Sequence, residues 1–221
     1  MIKPTIFLFM SLLLIGCDQS SWQTPTENTA PDSTVQGNTA QPFTLLASVP
    51  AVLAKADYEG KIVTQRQWRD ANGENLVLFT QQHVNYQQDK QPESAIFAYH
   101  YVLQHGQVTL LRRVYDFVPT CSSDLTIEFI EPIISVTDLD NNQLGEITFA
   151  YQKACISDLS PLELKLLILE NGHKHIIRGT TTITTKSGRI KGKKQIDEGS
   201  FATAPAAFLS HANALWDTLT N

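Results

Sequence analysis

The chain is poor in the residues from which recognisable enzyme signatures are built. Its 221 residues include only 3 cysteines, 2 methionines and 6 histidines. The histidines do not gather: His173-Lys174-His175 offers a metal two ligands, and His83, His100 and His105 are scattered. No Gly-x-Ser-x-Gly elbow, no His-Glu-x-x-His and no phosphate-cradling glycine loop is present. Carboxylate pairs such as Glu128 with Glu131 are all that is left for acid–base work, so the expectation is a protein without catalysis. Excess positive charge is missing too. With 17 Lys and Arg against 22 Asp and Glu, the formal net charge is −5, which argues against a nucleic-acid partner. There is no internal repeat, and the longest apolar run, Ile6 to Ile15, is too short to span a bilayer as a stable helix.

What is present starts with that run. Lys3 precedes it and Leu14-Ile15-Gly16-Cys17 ends it, so residues 1–16 have the form of an export signal. The ending resembles the lipobox of bacterial lipoproteins, in which the cysteine is lipidated and becomes the mature N-terminus. An ordinary secretory signal with a chance cysteine is the competing interpretation. Each buried acyl methylene contributes about 0.8 kcal/mol, so more than one chain on Cys17 would anchor the protein to a membrane essentially permanently. Asp18 resembles the signal that retains enterobacterial lipoproteins in the inner membrane. Residues 17–41 are Ser, Thr, Gln, Asn and Pro with little apolar content beyond Trp22 and Val35, which predicts a disordered tether. Random-coil scaling gives it a reach of roughly 25 to 30 Å.

Residues 42–221 are the size of one domain with a proper core. Ser48-Val49-Pro50 before an apolar tetrad predicts a short capped helix, with Ser48 at the cap. Hairpins follow: Lys61 to Arg69 with Glu74 to Gln82 around Asp70-Ala71-Asn72-Gly73, Ser94 to Leu103 with Val108 to Phe117 around His105-Gly106, and Leu162 to Glu170 with His173 to Thr184 around Asn171-Gly172. Val63, Trp68, Leu76, Leu78 and Val84 supply apolar faces. Between the second and third hairpins, Leu125 to Val136 and Glu146 to Tyr151 predict a strand, an acidic turn and a second strand. The expected fold is therefore mainly β (α+β): an antiparallel sheet built of hairpins, curled or partly closed to cover its edges. From Pro205 onward, Phe208, Leu209, Ala212, Leu215, Trp216 and Leu219 make one helical stripe. Such a helix either packs on its own sheet or docks a partner, and the former is expected.

Cys121 and Cys155 form an even pair in an exported chain and are expected to be bridged. In the loop-entropy model the bridge contributes on the order of 4 kcal/mol, and it would clamp the strands around the acidic turn. A reactive or metal-binding thiol pair is the alternative, but it lacks neighbouring ligands. In the turn, Asp138, Asp140, Asn142 and Glu146 place side-chain oxygens at loop positions one, three, five and nine, and Leu144 can offer a carbonyl at seven. The pattern resembles the calcium loops of FG-GAP and integrin-type repeats. It departs from them at Gln143, where those loops have glycine for the sharp bend. Ca2+ is the cofactor expected of it, with a Kd on the order of 10⁻⁴ to 10⁻³ M. An acidic β-turn without an ion is the alternative. Lys186, Arg189, Lys191, Lys193 and Lys194 lie in a Gly- and Ser-containing hairpin or loop, placed to meet phosphates or uronic acids of an envelope polymer, or simply a solvated segment.

Several pieces together resemble a family of secreted or lipid-anchored bacterial proteins, some of which carry the label surface-polysaccharide (lipopolysaccharide) biosynthesis protein. The resemblance rests on Trp68 with Asp70, Gly73, Glu74 and Asn75, on Thr137-Asp138-Leu139-Asp140 with Glu146, Thr148 and Phe149, and on Tyr151 through Cys155 with Ser157, Asp158, Ser160 and Pro161. It continues through Lys165, Glu170, Arg178 and Gly179. It covers about Gly60 to Thr182 and leaves out the tether and the terminal helix. It implies a lipid-anchored envelope protein, periplasmic or surface-facing, that supports surface-polysaccharide assembly or binding, and it carries over no catalytic residue. A binding or inhibitor module for an extracytoplasmic hydrolase such as lysozyme is the alternative. A glycan-modifying enzyme using the carboxylates near the acidic loop comes third.

Overall fold

The computed structural model describes residues 42–47, 50–83 and 94–221. The signal at 1–16, Cys17, the tether at 17–41, the Ser48 cap and Val84 lie outside the described residues. Two open antiparallel sheets pack face to face, and neither is closed into a barrel. The first is a meander of β1 (Thr44–Leu45), β2 (Lys61–Asp70), β3 (Gly73–His83), β4 (Ser94–Gln104) and β5 (Gln107–Val118), in that order across the sheet. The second is built from β6 (Asp124–Phe129), β7 (Ser135–Thr137), β8 (Glu146–Ile156), β9 (Glu163–Glu170), β10 (His173–Thr180) and β13 (Lys194–Ile196). Its spatial order is β13-β10-β9-β8-β6, and β7 also pairs with β8. A separate ribbon, β11 (Ile183–Thr185) with β12 (Gly188–Ile190), precedes β13.

The turns form where the sequence places them. His105 with Gly106 has φ of 51° and 78°, and Asn171 with Gly172 has 43° and 76°, the doubly positive geometry whose twist suits a two-residue hairpin. Gly73 closes the β2–β3 turn opposite Asp70. One predicted strand is split. The run from Leu125 to Val136 breaks between β6 and β7 at a 3-10 turn, Glu131–Ile133, because Pro132 has no N–H for the ladder.

Strand alternation gives each sheet two buried faces. Trp68, Val77, Phe79, Ile96 and Ala98 of the first sheet meet Ile127, Ile147, Phe149, Leu167 and Ile176 of the second. On the far side of the first sheet, Leu76, Leu78, Phe97 and Tyr99 are covered by Val52 of the short helix α1 (Pro50–Leu53). On the far side of the second, Ala150, Leu164, Leu166 and Ile177 receive Phe201 of α2 (Glu198–Phe201) and Phe208, Ala212 and Trp216 of α3 (Ala206–Thr220). The terminal stripe therefore packs on its own sheet. Burial of its large side chains contributes roughly 1.5 to 3 kcal/mol each before entropy is counted.

Cys121 and Cys155 are bridged, with Cα atoms 5.6 Å apart. The bridge does not sit across the acidic bend, as the strand–turn–strand interpretation expects. Cys155 lies near the end of β8, opposite Leu125, whereas the bend enters β8 at Glu146. Nine residues of strand separate the two, roughly 30 Å at the rise of a β-strand. The staple instead fixes the crossover from the first sheet into β6.

Candidate functional site: the acidic loop and its brace

The loop between β7 and β8 is organised by its own side chains. Asp138 accepts the N–H groups of Asn142 (3.1 Å) and Gln143 (3.2 Å), one on each carboxylate oxygen. Asp140 accepts the Asn142 N–H at 3.2 Å, and Asn142 Oδ1 accepts that of Leu144 at 2.7 Å. These are the local bonds by which Asp and Asn replace a regular ladder in turns. Gln143 stands where the calcium loops have glycine, yet it has φ of 68° and so makes the left-handed bend that a glycine would make.

Glu146, the first residue of β8, has no exposed surface. Its Oε2 accepts the Leu139 N–H at 2.9 Å and the Thr137 hydroxyl at 3.2 Å. Its Oε1 is buried with no hydrogen-bond partner. Burial, with smaller contributions from the nearby Glu170 and Asp140 carboxylates, pushes its acid up to about 7. Asp138, Asp140 and Glu146 each bring a carboxylate oxygen to within 4.8 Å of the others, a spacing that suits one metal ion. Carboxylate oxygens that already accept one N–H keep lone pairs for a cation. Asn142 turns its amide nitrogen, not its oxygen, to the acids: Nδ2 lies 3.1 Å from Asp140 Oδ2 and 2.7 Å from Glu170 Oε1.

The other half of the site comes from the β2–β3 hairpin. Asp70 Oδ2 accepts the indole N–H of Trp68 at 2.8 Å and the backbone N–H of Gly145 at 3.0 Å, and its Oδ1 accepts the Asn72 N–H at 2.8 Å. The Ala71 N–H donates to the Gln143 carbonyl at 3.0 Å. A Cβ on Gly145 would lie 2.3 Å from Trp68 Nε1, so only glycine lets the indole approach. Sequence reasoning placed Glu146 correctly but missed Glu170 and Asp70 as neighbours of the loop. Glu170 faces Glu146 in the β8–β9 register, which the connection at residues 157–162 sets and the Asn171-Gly172 turn does not.

The five cations of the 186–194 segment do not act as one group. Lys186 is in the β11–β12 turn, and Lys191 follows β12. Arg189 donates to the Thr220 carbonyl at 3.1 Å, at the negative end of α3. Lys194 pairs with Asp217 of the same helix at 3.3 Å, and the Lys193 backbone N–H bonds Thr180 at 3.0 Å.

Comparison with family models, with curated proteins and with solved structures finds no match for this chain. The structure itself defines the class: a disulfide-stapled antiparallel β-sandwich with a helix on one face and an acidic loop of metal-binding spacing at one end.

Proposed function

We propose that the chain is a lipid-anchored protein of the bacterial cell envelope whose sandwich binds surface polysaccharide without catalysis. The observation that carries this reading is on the free edge of the first sheet. Tyr115 and Phe117 of β5 stack with ring centroids 5.5 Å apart and 22° between planes, and they remain 44 % and 38 % exposed. The Arg113 guanidinium lies 5.5 Å from the Tyr115 centroid. Flat rings left in water beside a cation are costly surface unless something covers them, and the C–H faces of sugar rings are complementary to such a platform. The Cys121–Cys155 bridge supports an oxidising compartment outside the cytoplasm.

The acidic loop is proposed to hold Ca2+, an ion that takes oxygen ligands in variable geometry. Asp138, Asp140 and Glu146 would be its protein ligands, with the orphaned Glu146 Oε1 supplying the donor that nothing else satisfies. The ion would lock the junction of β7 and β8.

Capture from envelope extract tests the binding role. Retention of an acidic or neutral glycan, reduced several-fold by Tyr115→Ala with Phe117→Ala, supports it. Capture of a lysozyme-like hydrolase with no glycan would replace it by the inhibitor reading. The anchor has its own test: labelled palmitate enters the wild-type chain and not Cys17→Ala.

A further inference from the structure

A cleft of about 360 Å³ opens between β5 of the first sheet and β8, β9 and β10 of the second. Its walls carry Arg112 and Asp116 of β5, Tyr151 of β8, Lys165 of β9, and Lys174 and Arg178 of β10. The register explains the grouping. Lys174, Ile176 and Arg178 take the inward positions of β10, as Ile176 in the core between the sheets shows, while Ile177 packs under the helices. Lys165 stands opposite both Tyr151 and Arg178.

Part of this charge has a structural purpose. Asp116 binds Lys153 at 2.7 Å and also Lys165, and it accepts the Tyr151 hydroxyl at 2.8 Å, tying β5 to the second sheet. Arg178 pairs with Asp197 at 2.9 Å. Two cations stay uncompensated. Arg112 donates its Nε to the Gly172 carbonyl at 2.6 Å, which holds the side chain along the β9–β10 turn without neutralising it. Lys174 has no hydrogen bond or ion pair among the described residues. Its ammonium is pushed down by loss of water and then by the Arg178 and Arg112 charges beside it. A chain with a formal net charge of −5 thus lines this cleft with five cations, of which Arg113 is paired with Glu59 at 2.7 Å, against one carboxylate that is already shared. Like charges brought together in a concave polar site are stabilised by an anion that bridges them.

We propose that this cleft is a binding site for an anionic-oxygen ligand, a phosphoryl or carboxylate group borne on a sugar-sized body, with Lys174 and Arg112 as its principal contacts and Arg178 and Lys165 as its flank. The cavity is at the lower end of small-molecule sites, which run from about 300 to 1,000 Å³, so it has room for more than a bare oxyanion. The site is distinct from the 186–194 segment, and it stands on the cleft alone, without requiring the anchor or a polymer.

Calorimetric titration of the full chain in detergent with glucose 1-phosphate and with trigalacturonic acid tests it at low salt. At least one probe should bind, with affinity falling steeply as salt rises. Binding of the first alone assigns a phosphoryl ligand, and of the second alone a carboxylate. Lys174→Gln should weaken binding about tenfold, the scale of one charge-assisted hydrogen bond, with a melting temperature no lower than wild type, because Lys174 supports no other contact and its loss relieves the like charges beside it. Arg112→Lys should weaken it while keeping the charge. Lys186→Gln with Lys191→Gln should leave it unchanged. Failure of both probes to bind, or binding indifferent to Lys174→Gln, or equal loss in the 186/191 pair, overturns the proposal. Because the probes are small anions, a failed glycan capture and a failed cleft remain separate results.

Discussion

The backbone N–H of Gly145 donates to Asp70 Oδ2 at 3.0 Å, joining a turn of the first sheet to the acidic loop of the second across 75 residues of sequence. The same carboxylate holds the Trp68 indole and the Asn72 amide, so one buried side chain sets the spacing of the sheets at this end. Asp70→Ala removes all three acceptances and strands two buried donors, at a cost on the order of 3 kcal/mol. Asp70→Asn keeps one oxygen and should cost less. Gly145→Ala, which drives a methyl into the indole, should match the alanine variant. Urea unfolding measures all three, and an Asp70→Ala loss below about 0.5 kcal/mol would remove the brace from the account.

The hairpins were legible because their signals are local: His105-Gly106 and Asn171-Gly172 hold the φ values that those residues tolerate. The disulfide pairing and the packing of the terminal stripe were legible for similar reasons, an even cysteine count and a 3.6-residue period. Where the disulfide falls along β8 was not: it lies at the far end of that strand because β6 pairs with β8 so that Leu125 stands opposite Cys155, well beyond Glu146. The division into two stacked sheets, in place of a single curled one, follows from the crossover at residues 119–123, which carries no periodic signal. The site was half legible. Alternate acids mark the loop, but Asp70 reaches it only through the tertiary fold. The cleft cations Arg112, Lys165, Lys174 and Arg178 are dispersed over three strands, two of them on β10, whereas the sequence cluster at 186–194 drew attention by proximity alone.

Calcium and protons should compete at Glu146. Its folded acid is raised to about 7, above the ordinary carboxylate value, so this group favours the fold most fully below the unfolded value and loses that contribution as pH rises through about 7. A cation takes the place of the proton. Millimolar Ca2+ should therefore raise the melting temperature more at about pH 8 than at about pH 5.5. Glu146→Gln should abolish the difference, and Asp138→Asn should shrink the shift at either pH. Melting curves unmoved by Ca2+ at both pH values would retire the ion.

His100 carries the opposite sign. It is fully buried, its Nε2 meets Asn75 Oδ1 at 3.0 Å, and its Nδ1 has no partner. Burial holds its pKa down at about 4, so the fold requires the neutral ring. The stability it contributes is complete above the unfolded value near 6.5 and falls as pH drops toward about 4, by about 3 kcal/mol in all. Glu146 drifts the other way over part of that window, so the comparison belongs in a Glu146→Gln background. There, His100→Gln should flatten the acid limb of stability against pH. A limb of unchanged steepness would show that another group sets it.

The staple and the acidic loop occupy opposite ends of β8, and this makes them separable. Paired Cys121→Ser and Cys155→Ser should cost about 4 kcal/mol, the loop-entropy value for a closed segment of 34 residues. The loss should appear as a lower midpoint, and the unfolded chain should also become more expanded. The Ca2+-dependent rise in melting temperature should survive at its wild-type size, because the loop is braced by Asp70, Thr137 and Glu170 and by nothing near Cys155. If the paired variant loses the Ca2+ response as well as stability, the strand transmits strain between its ends, and Asp70 is not sufficient to hold the loop.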